Sequence, residues 1–183
     1  MSLIKSGIFS CGKDVFISDN VEIKRPELVK LGNHIAIDSG FYCTTALEIG
    51  DHVHIAPYTV VIGGAAAKLS MNHFTNISAG GRIVCGSDQF LGEGLITAPG
   101  IPEEFRDTLK IGTVTFEMFA NVGANVTILP GVTLGEGSVI GACSLVSGDT
   151  EPWTIYIGTP ARAIKIRPRE KMIEYAKKMG YHK

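Results

Sequence analysis

An aliphatic residue returns every six positions through most of this chain. The clearest run is Leu134-Gly-Glu-Gly-Ser138-Val-Ile140-Gly-Ala-Cys-Ser144-Leu-Val146, where small residues (Ser138, Ser144, Thr150) follow each aliphatic by four positions. A period of six is neither the 3.6 of a helix nor the alternation of a single strand, so it marks an internal repeat. The register runs back through Phe116, Val122 and Ile128, then Met71, Ile77 and Ile83. Further back it passes Ile49, Ile55 and Val61, then Leu31, Ile37 and Cys43, with a first trace at Ile17 and Ile23. Residues 1–14 carry no strong pattern and read as a lead-in.

A short strand with one inward aliphatic, followed by a tight turn, accounts for this period. Three such units close a triangular coil of about eighteen residues, and the next coil stacks at the inter-strand spacing of ~4.8 Å. Inward aliphatics then form columns, small residues fit the corners, and each coil needs its neighbours for stability. A β-sandwich would instead space its strands by about 8–12 residues. The expected fold is all-β, a parallel β-helix shaped as a triangular prism over residues 15–166. Three interruptions are expected between triplets: Lys24 to Lys30, where Pro26 disfavours a central strand; a slip at Ala67 to Ser70; and a long loop at 89–110. That loop holds Gly92, Gly94, Pro99, Gly100 and Pro102, and a loop of this length in a compact domain is usually functional. Residues 167–183 form a C-terminal segment, in which Met172, Ile173, Tyr175, Ala176 and Met179 suit a short amphipathic α-helix ended by Gly180.

Composition narrows the function classes. A net charge of −1 gives no electrostatic case for nucleic acid or a membrane surface. The 22 glycines suit a turn-rich repeat. Cys11, Cys43, Cys85 and Cys143 are far apart, without a CxxC pair, and read as buried or half-buried thiols in a reducing compartment. Met1 to Lys5 lacks a signal-peptide core and no apolar run reaches membrane-spanning length. A cytoplasmic protein is expected.

Three stretches carry a resemblance: Val126-Thr-Ile-Leu-Pro-Gly-Val-Thr-Leu-Gly-Glu-Gly, Ser138-Val-Ile-Gly-Ala-Cys-Ser-Leu-Val and Pro152-Trp-Thr-Ile-Tyr-Ile-Gly-Thr-Pro-Ala-Arg. With the repeat, they resemble the hexapeptide-repeat acyltransferases, in the sugar acetyltransferase branch related to the galactoside and maltose enzymes. Ser87-Asp88-Gln89 and Ile101-Pro-Glu-Glu-Phe-Arg106 resemble a group found with surface-polysaccharide genes. The resemblance implies a left-handed coil, a homotrimer with active sites between subunits, and acetyl-CoA as co-substrate. It implies a sugar or nucleotide-sugar acceptor, and a long loop that reaches a neighbouring subunit.

Acyl transfer from a thioester needs a base, an oxyanion donor and a groove for the pantetheine arm. It needs no metal, and no zinc-like ligand cluster is visible. The best-known members keep a catalytic histidine at the start of the long loop, where this chain reads Gly86-Ser87-Asp88-Gln89. The base is therefore sought elsewhere. His34 and His52 are expected to face outward near turns, and His182 lies in the tail. His54, between Val53 and Ile55, is expected at a corner beside the subunit groove and is the preferred base, with His73 as the alternative. Asp88 is expected either to orient His54 across the interface or to accept turn N–H groups. The resemblance points to Gly123, Ala124, Gly141 and Ala142 as the coenzyme A track, with Lys165, Arg167 and Arg169 near its phosphates. The small residues also follow from coil geometry alone. Trp153 covers the prism end or flanks the adenine, and Cys143 is not expected to act as a nucleophile.

The leading expectation is acetyl transfer to a sugar hydroxyl with a histidine base. The alternatives are N-acetylation of a nucleotide-linked amino sugar, where the missing loop histidine matters less, and a structural β-helix that binds no coenzyme. A zinc carbonic anhydrase shares this fold, but the spacing of His54 and His73 does not suit its three-histidine site.

Overall fold

The computed structural model describes residues 7–181; the first six residues, His182 and Lys183 lie outside the described residues. The chain winds as a parallel β-solenoid of about seven turns with one short helix at its C-terminal end. Its three faces come from the three strands of each coil. The first face stacks Ser10–Cys11, Val29–Leu31, Ala46–Ile49, Lys68–Met71, Val114–Phe116 and Thr133–Leu134. The second begins at Val15–Ile17 and ends in an antiparallel hairpin of Thr154–Ile157 with Arg162–Ile166. The third runs from Glu22–Ile23 to Leu145–Val146.

The register is the one the six-residue period dictates. Leu31, Ile49, Met71, Phe116 and Leu134 pair successively on the first face. Ile37, Ile55, Ile77, Val122 and Ile140 do so on the second, and Cys43, Val61, Ile83, Ile128 and Val146 on the third. All are buried in one core, because a residue at each strand's inward position has nowhere else to point. The repeat begins one strand earlier than the pattern suggests: Ser10 and Cys11, in the same coil as Ile17 and Ile23, already pair with Lys30 and Leu31. Small hydroxyl residues close the corners. Thr59, Thr75 and Ser144 each donate their hydroxyl to the carbonyl three residues back, at 2.8 Å.

Every interruption falls at the seam between the third and first faces. Pro26–Leu28 forms one turn of 3-10 helix there. The slip sits at residues 63–67 rather than at Ala67 to Ser70. Lys68–Met71 is a regular strand, and Gly63 and Gly64 supply the turn with φ of 158° and 75°. The long loop is more ordered than a structureless connection. Gly86–Asp88 pairs antiparallel with Leu109–Ile111, so the segment leaves the prism as a two-stranded arm.

The C-terminal helix Glu170–Lys178 lies along the corner between the first and second faces. Its Met172, Ile173 and Ala176 form a second cluster with Phe74, Met118, Phe119 and Trp153. Among the described residues no helix is long and apolar enough to cross a membrane. Two of the four cysteines are exposed, Cys11 and Cys143, which departs from the expected burial. Burial pushes the thiols of Cys43 and Cys85 up to about 12 and about 11.

Candidate active site

His54 is not at a corner. It is the middle residue of Val53–Ile55 on the flat second face, because a residue between two inward aliphatics of a strand must point straight out. It lies in register between Ala36 and Asn76. Its Nε2 donates to Asp38 Oδ2 at 2.8 Å, with the imidazole about half exposed (52%). A carboxylate can only accept, so this bond leaves Nδ1 free to take a proton. His54 lines an open groove of about 710 Å³ with Phe16, Ala36, Asn76 and Asn121 along the face. His34, His52 and Phe74 border it at the corner.

Asp88 stands at the base of the arm, and there its carboxylate accepts from the Thr97 backbone N–H (3.2 Å) and hydroxyl (2.7 Å). A single chain thus gives His54 one carboxylate, Asp38, and gives Asp88 a turn to cap. It does not bring His54 and Asp88 together. His73 sits at the corner between the first and second faces. Its Nδ1 accepts the backbone N–H of Asp51 at 2.8 Å, so only Nε2 is left for other work. It lines a groove on the first face with Glu48, Asp51, Ser70 and Glu117.

That same corner carries a column of rings. His34 and His52 stack at 4.7 Å, His52 and Phe74 at 4.9 Å, Phe74 and Phe119 at 5.4 Å, and Phe119 packs on Trp153 at 5.7 Å. All five have positive φ, between 53° and 65°, a conformation that costs a non-glycine residue roughly 1–2 kcal/mol. Aromatic pairing returns about 0.5–1.5 kcal/mol per contact, so the column offsets much of the strain of its own turns. Burial and the neighbouring His34 ring lower the pKa of His52. Tyr181 closes over the column edge-on to His52 and Phe74 and donates to Asp51 Oδ2 at 2.8 Å. Asp51 Oδ1 accepts from the Asn33 backbone and side chain at 2.7 and 3.1 Å. Burial alone would raise the Asp51 carboxyl, but these bonds hold it below its ordinary value. Burial and the Asp51 carboxylate push the Tyr181 phenol up to about 12.

The expected coenzyme track divides. Ala124 and Ala142 lie at the corner between the second and third faces, Ala142 exposed. Gly123 and Gly141 are small for a packing reason: a Cβ would lie 2.6 Å from the Ala142 nitrogen and from Ile157 Cγ2 respectively. Lys165 is exposed on the terminal hairpin. Arg167 is not free to meet a phosphate, since its Nη1 donates to the Phe119 and Gly137 carbonyls, both at 3.0 Å. Trp153 is buried at the foot of the ring column and covers the prism end. Among the described residues no group of three or more His, Cys, Asp or Glu is placed to hold a metal ion.

Sequence reasoning passed over Asp38 and the ring column. The signal for the column was present: His34, His52, Phe74 and Phe119 each follow an inward residue of the first face (Leu31, Ile49, Met71, Phe116) by three positions.

Comparison with known proteins places this geometry among enzymes. The model of the bacterial transferase hexapeptide (six repeats) matches residues 118–148. The chain is 31% identical to a dTDP-4-amino-4,6-dideoxy-D-glucose acyltransferase of Escherichia coli, over 95% of this chain and 90% of that one. It is 33% identical to a putative lipopolysaccharide biosynthesis O-acetyl transferase of Escherichia coli K12, over 65% and 57% of the two chains. Among solved structures it superposes on AntD, an N-acyltransferase from Bacillus cereus in complex with dTDP and coenzyme A. The TM-score is 0.90 at 35% identity, covering 97% of this chain and 94% of that one.

Proposed function

This chain belongs to the hexapeptide-repeat acyltransferase family, and we propose on that premise that it transfers an acyl group from coenzyme A to the amine of a nucleotide-linked amino sugar. The observation that carries the reading is likeness over nearly the whole chain to a dTDP-4-amino-4,6-dideoxy-D-glucose acyltransferase and to the N-acyltransferase AntD. The O-acetyl transferase match covers only part of either protein.

The chemistry asks little of the protein. The neutral amine attacks the thioester carbonyl, the tetrahedral intermediate expels the coenzyme thiolate, and the amine proton passes to that sulfur. A carboxylate that holds the amine and relays its proton suffices, and we assign this to Asp88. AntD has been solved as variants of an aspartate and of a serine ten residues before it. In this chain one serine alone is followed by aspartate at that distance, Ser78 by Asp88. Ser78 sits on the second face beside Asn76, whereas Asp88 lies across the third face on the arm. A site that uses both draws them from two copies, so the reading includes a homotrimer. The exposed Phe90, Leu91, Leu95, Ile96 and Phe105 of the arm are the surface a neighbouring copy would cover. Ala124, Ala142 and Lys165 are the proposed coenzyme contacts, in a cytoplasmic protein supplied with acyl-CoA.

A second reading rests on the His54–Asp38 pair, a geometry suited to activating a sugar hydroxyl. Coenzyme A release from acetyl-CoA and 3-hydroxybutyryl-CoA, measured with dTDP-4-amino-4,6-dideoxyglucose and with the corresponding amine-free sugar nucleotide, separates the two. Turnover with the amine alone is expected. Equal turnover of the amine-free sugar would establish the hydroxyl reading, and no turnover with either would defeat both.

A further inference from the structure

We propose that the groove on the second face holds a flat nucleobase, seated over Ala36 between the rings of Phe16 and His54. The inference deepens the reading of a nucleotide-linked acceptor and rests on it for the base's source.

The prism shows what rings on successive coils do. At the neighbouring corner, His34, His52 and Phe74 stack at 4.7 and 4.9 Å, the rise from one coil to the next. The outward column beside it has the same pitch, with Phe16 in register with Ala36 and Ala36 with His54. Its middle position carries only a methyl group. Phe16 and His54 are therefore two rises apart, roughly 9.6 Å, with one rung of the column vacant. A planar heterocycle there sits ~4.8 Å from each ring, inside the 4.5–7 Å range of stacked aromatics.

Three further observations favour such an occupant. Phe16 is 58% exposed on a regular strand, a large apolar ring left for something to cover. The His54 ring is fixed by its 2.8 Å bond to Asp38, so it presents a set face. The groove is also lined by His34, Thr75, Asn76 and Asn121, whose donors and acceptors suit the mixed edge of a base. Asp14, 3.2 Å from His34, and Asp38 flank the rung with negative charge, so a neutral base suits it and the phosphates must point out of the groove. In this arrangement His54 holds the acceptor rather than taking its proton.

The pyrimidine of the acceptor and the adenine of coenzyme A share this chemistry, and titrating the two ligands separately distinguishes them. Calorimetric titrations of dTDP and of coenzyme A into the full-length protein are compared for the unaltered chain, Phe16→Ala and Ala36→Phe. Base–aromatic stacking predicts that Phe16→Ala weakens dTDP about ten-fold. Ala36→Phe, which fills the rung from the chain itself, abolishes dTDP binding, and coenzyme A affinity stays within two-fold. Loss of coenzyme A affinity instead would keep the rung and assign it to the adenine. Unchanged dTDP and coenzyme A affinity in both variants overturns the proposal. So does absence of nucleotide binding to the unaltered chain, or a change in assembly mass with Phe16→Ala, which would make the ring a subunit contact. Because these titrations need no turnover, a failure of acyl transfer to the amino sugar does not alter what they decide about the rung.

Discussion

Asp51 gathers more bonds than any other polar side chain described above, and the consequences are measurable one residue at a time. Tyr181→Phe removes a hydrogen bond to a charged group and is expected to cost about 1.5 kcal/mol in urea unfolding. His52 has a depressed folded-state pKa, so below its ordinary 6.5 the unfolded chain binds the proton more readily. Stability therefore falls as pH drops from about 6.5 towards the folded value. His34 and His73 add to this, while Asp51 opposes it. His52→Phe keeps a ring in the stack and removes the titration. Its melting temperature should exceed that of the unaltered protein near about pH 5.5 and match it near about pH 8. Asp88→Asn is expected to lower kcat at least about ten-fold, with coenzyme A affinity retained, if the carboxylate relays the proton. At this scale the sequence was only partly legible. His54 could be singled out as a histidine between inward aliphatics, but its partner Asp38 belongs to the preceding coil. Nothing in the spacing of sixteen residues shows that the two meet.

At the scale of the element, the six-residue period determines nearly everything. The columns through Leu31, Ile37 and Cys43 were readable to the last coil because an inward residue on a short strand tolerates little besides an aliphatic. What the period could not show was where extra residues go within a seam. Ala67 to Ser70 looks interrupted because Lys68 and Ser70 break the aliphatic pattern, yet both are outward positions of a good strand. The arm was opaque for a different reason. Its two strands are short and pair antiparallel, outside the repeat, and its Gly and Pro content masks them. Ile77→Ala, in a fully buried column position, should cost about 2–5 kcal/mol. It should do so cooperatively, since its coil supports both neighbours. Removing residues 167–183 would uncover Phe119 and Trp153 and leave the Phe119 and Gly137 carbonyls without their Arg167 donor. A lower melting temperature with the β-sheet circular dichroism retained is the expected result.

At the scale of the whole molecule, the prism is a rigid bar with one arm, and the arm's exposed apolar side chains need a partner. Light scattering should give the mass of a trimer, and replacing Phe90 and Leu91 by Ser should shift it towards smaller species without unfolding the coils. The trimer is inferred from family likeness and from the uncovered arm, because a single chain carries no record of its neighbours beyond surface left bare. Every insertion into the coil lies on one seam, between the third and first faces. The other two edges keep an unbroken pitch. The molecule is thus divided into a ruler and a growth point: lengthening the seam can bring new chemistry to the rim of the site, while the graduations that position ligands along the opposite faces stay where they are.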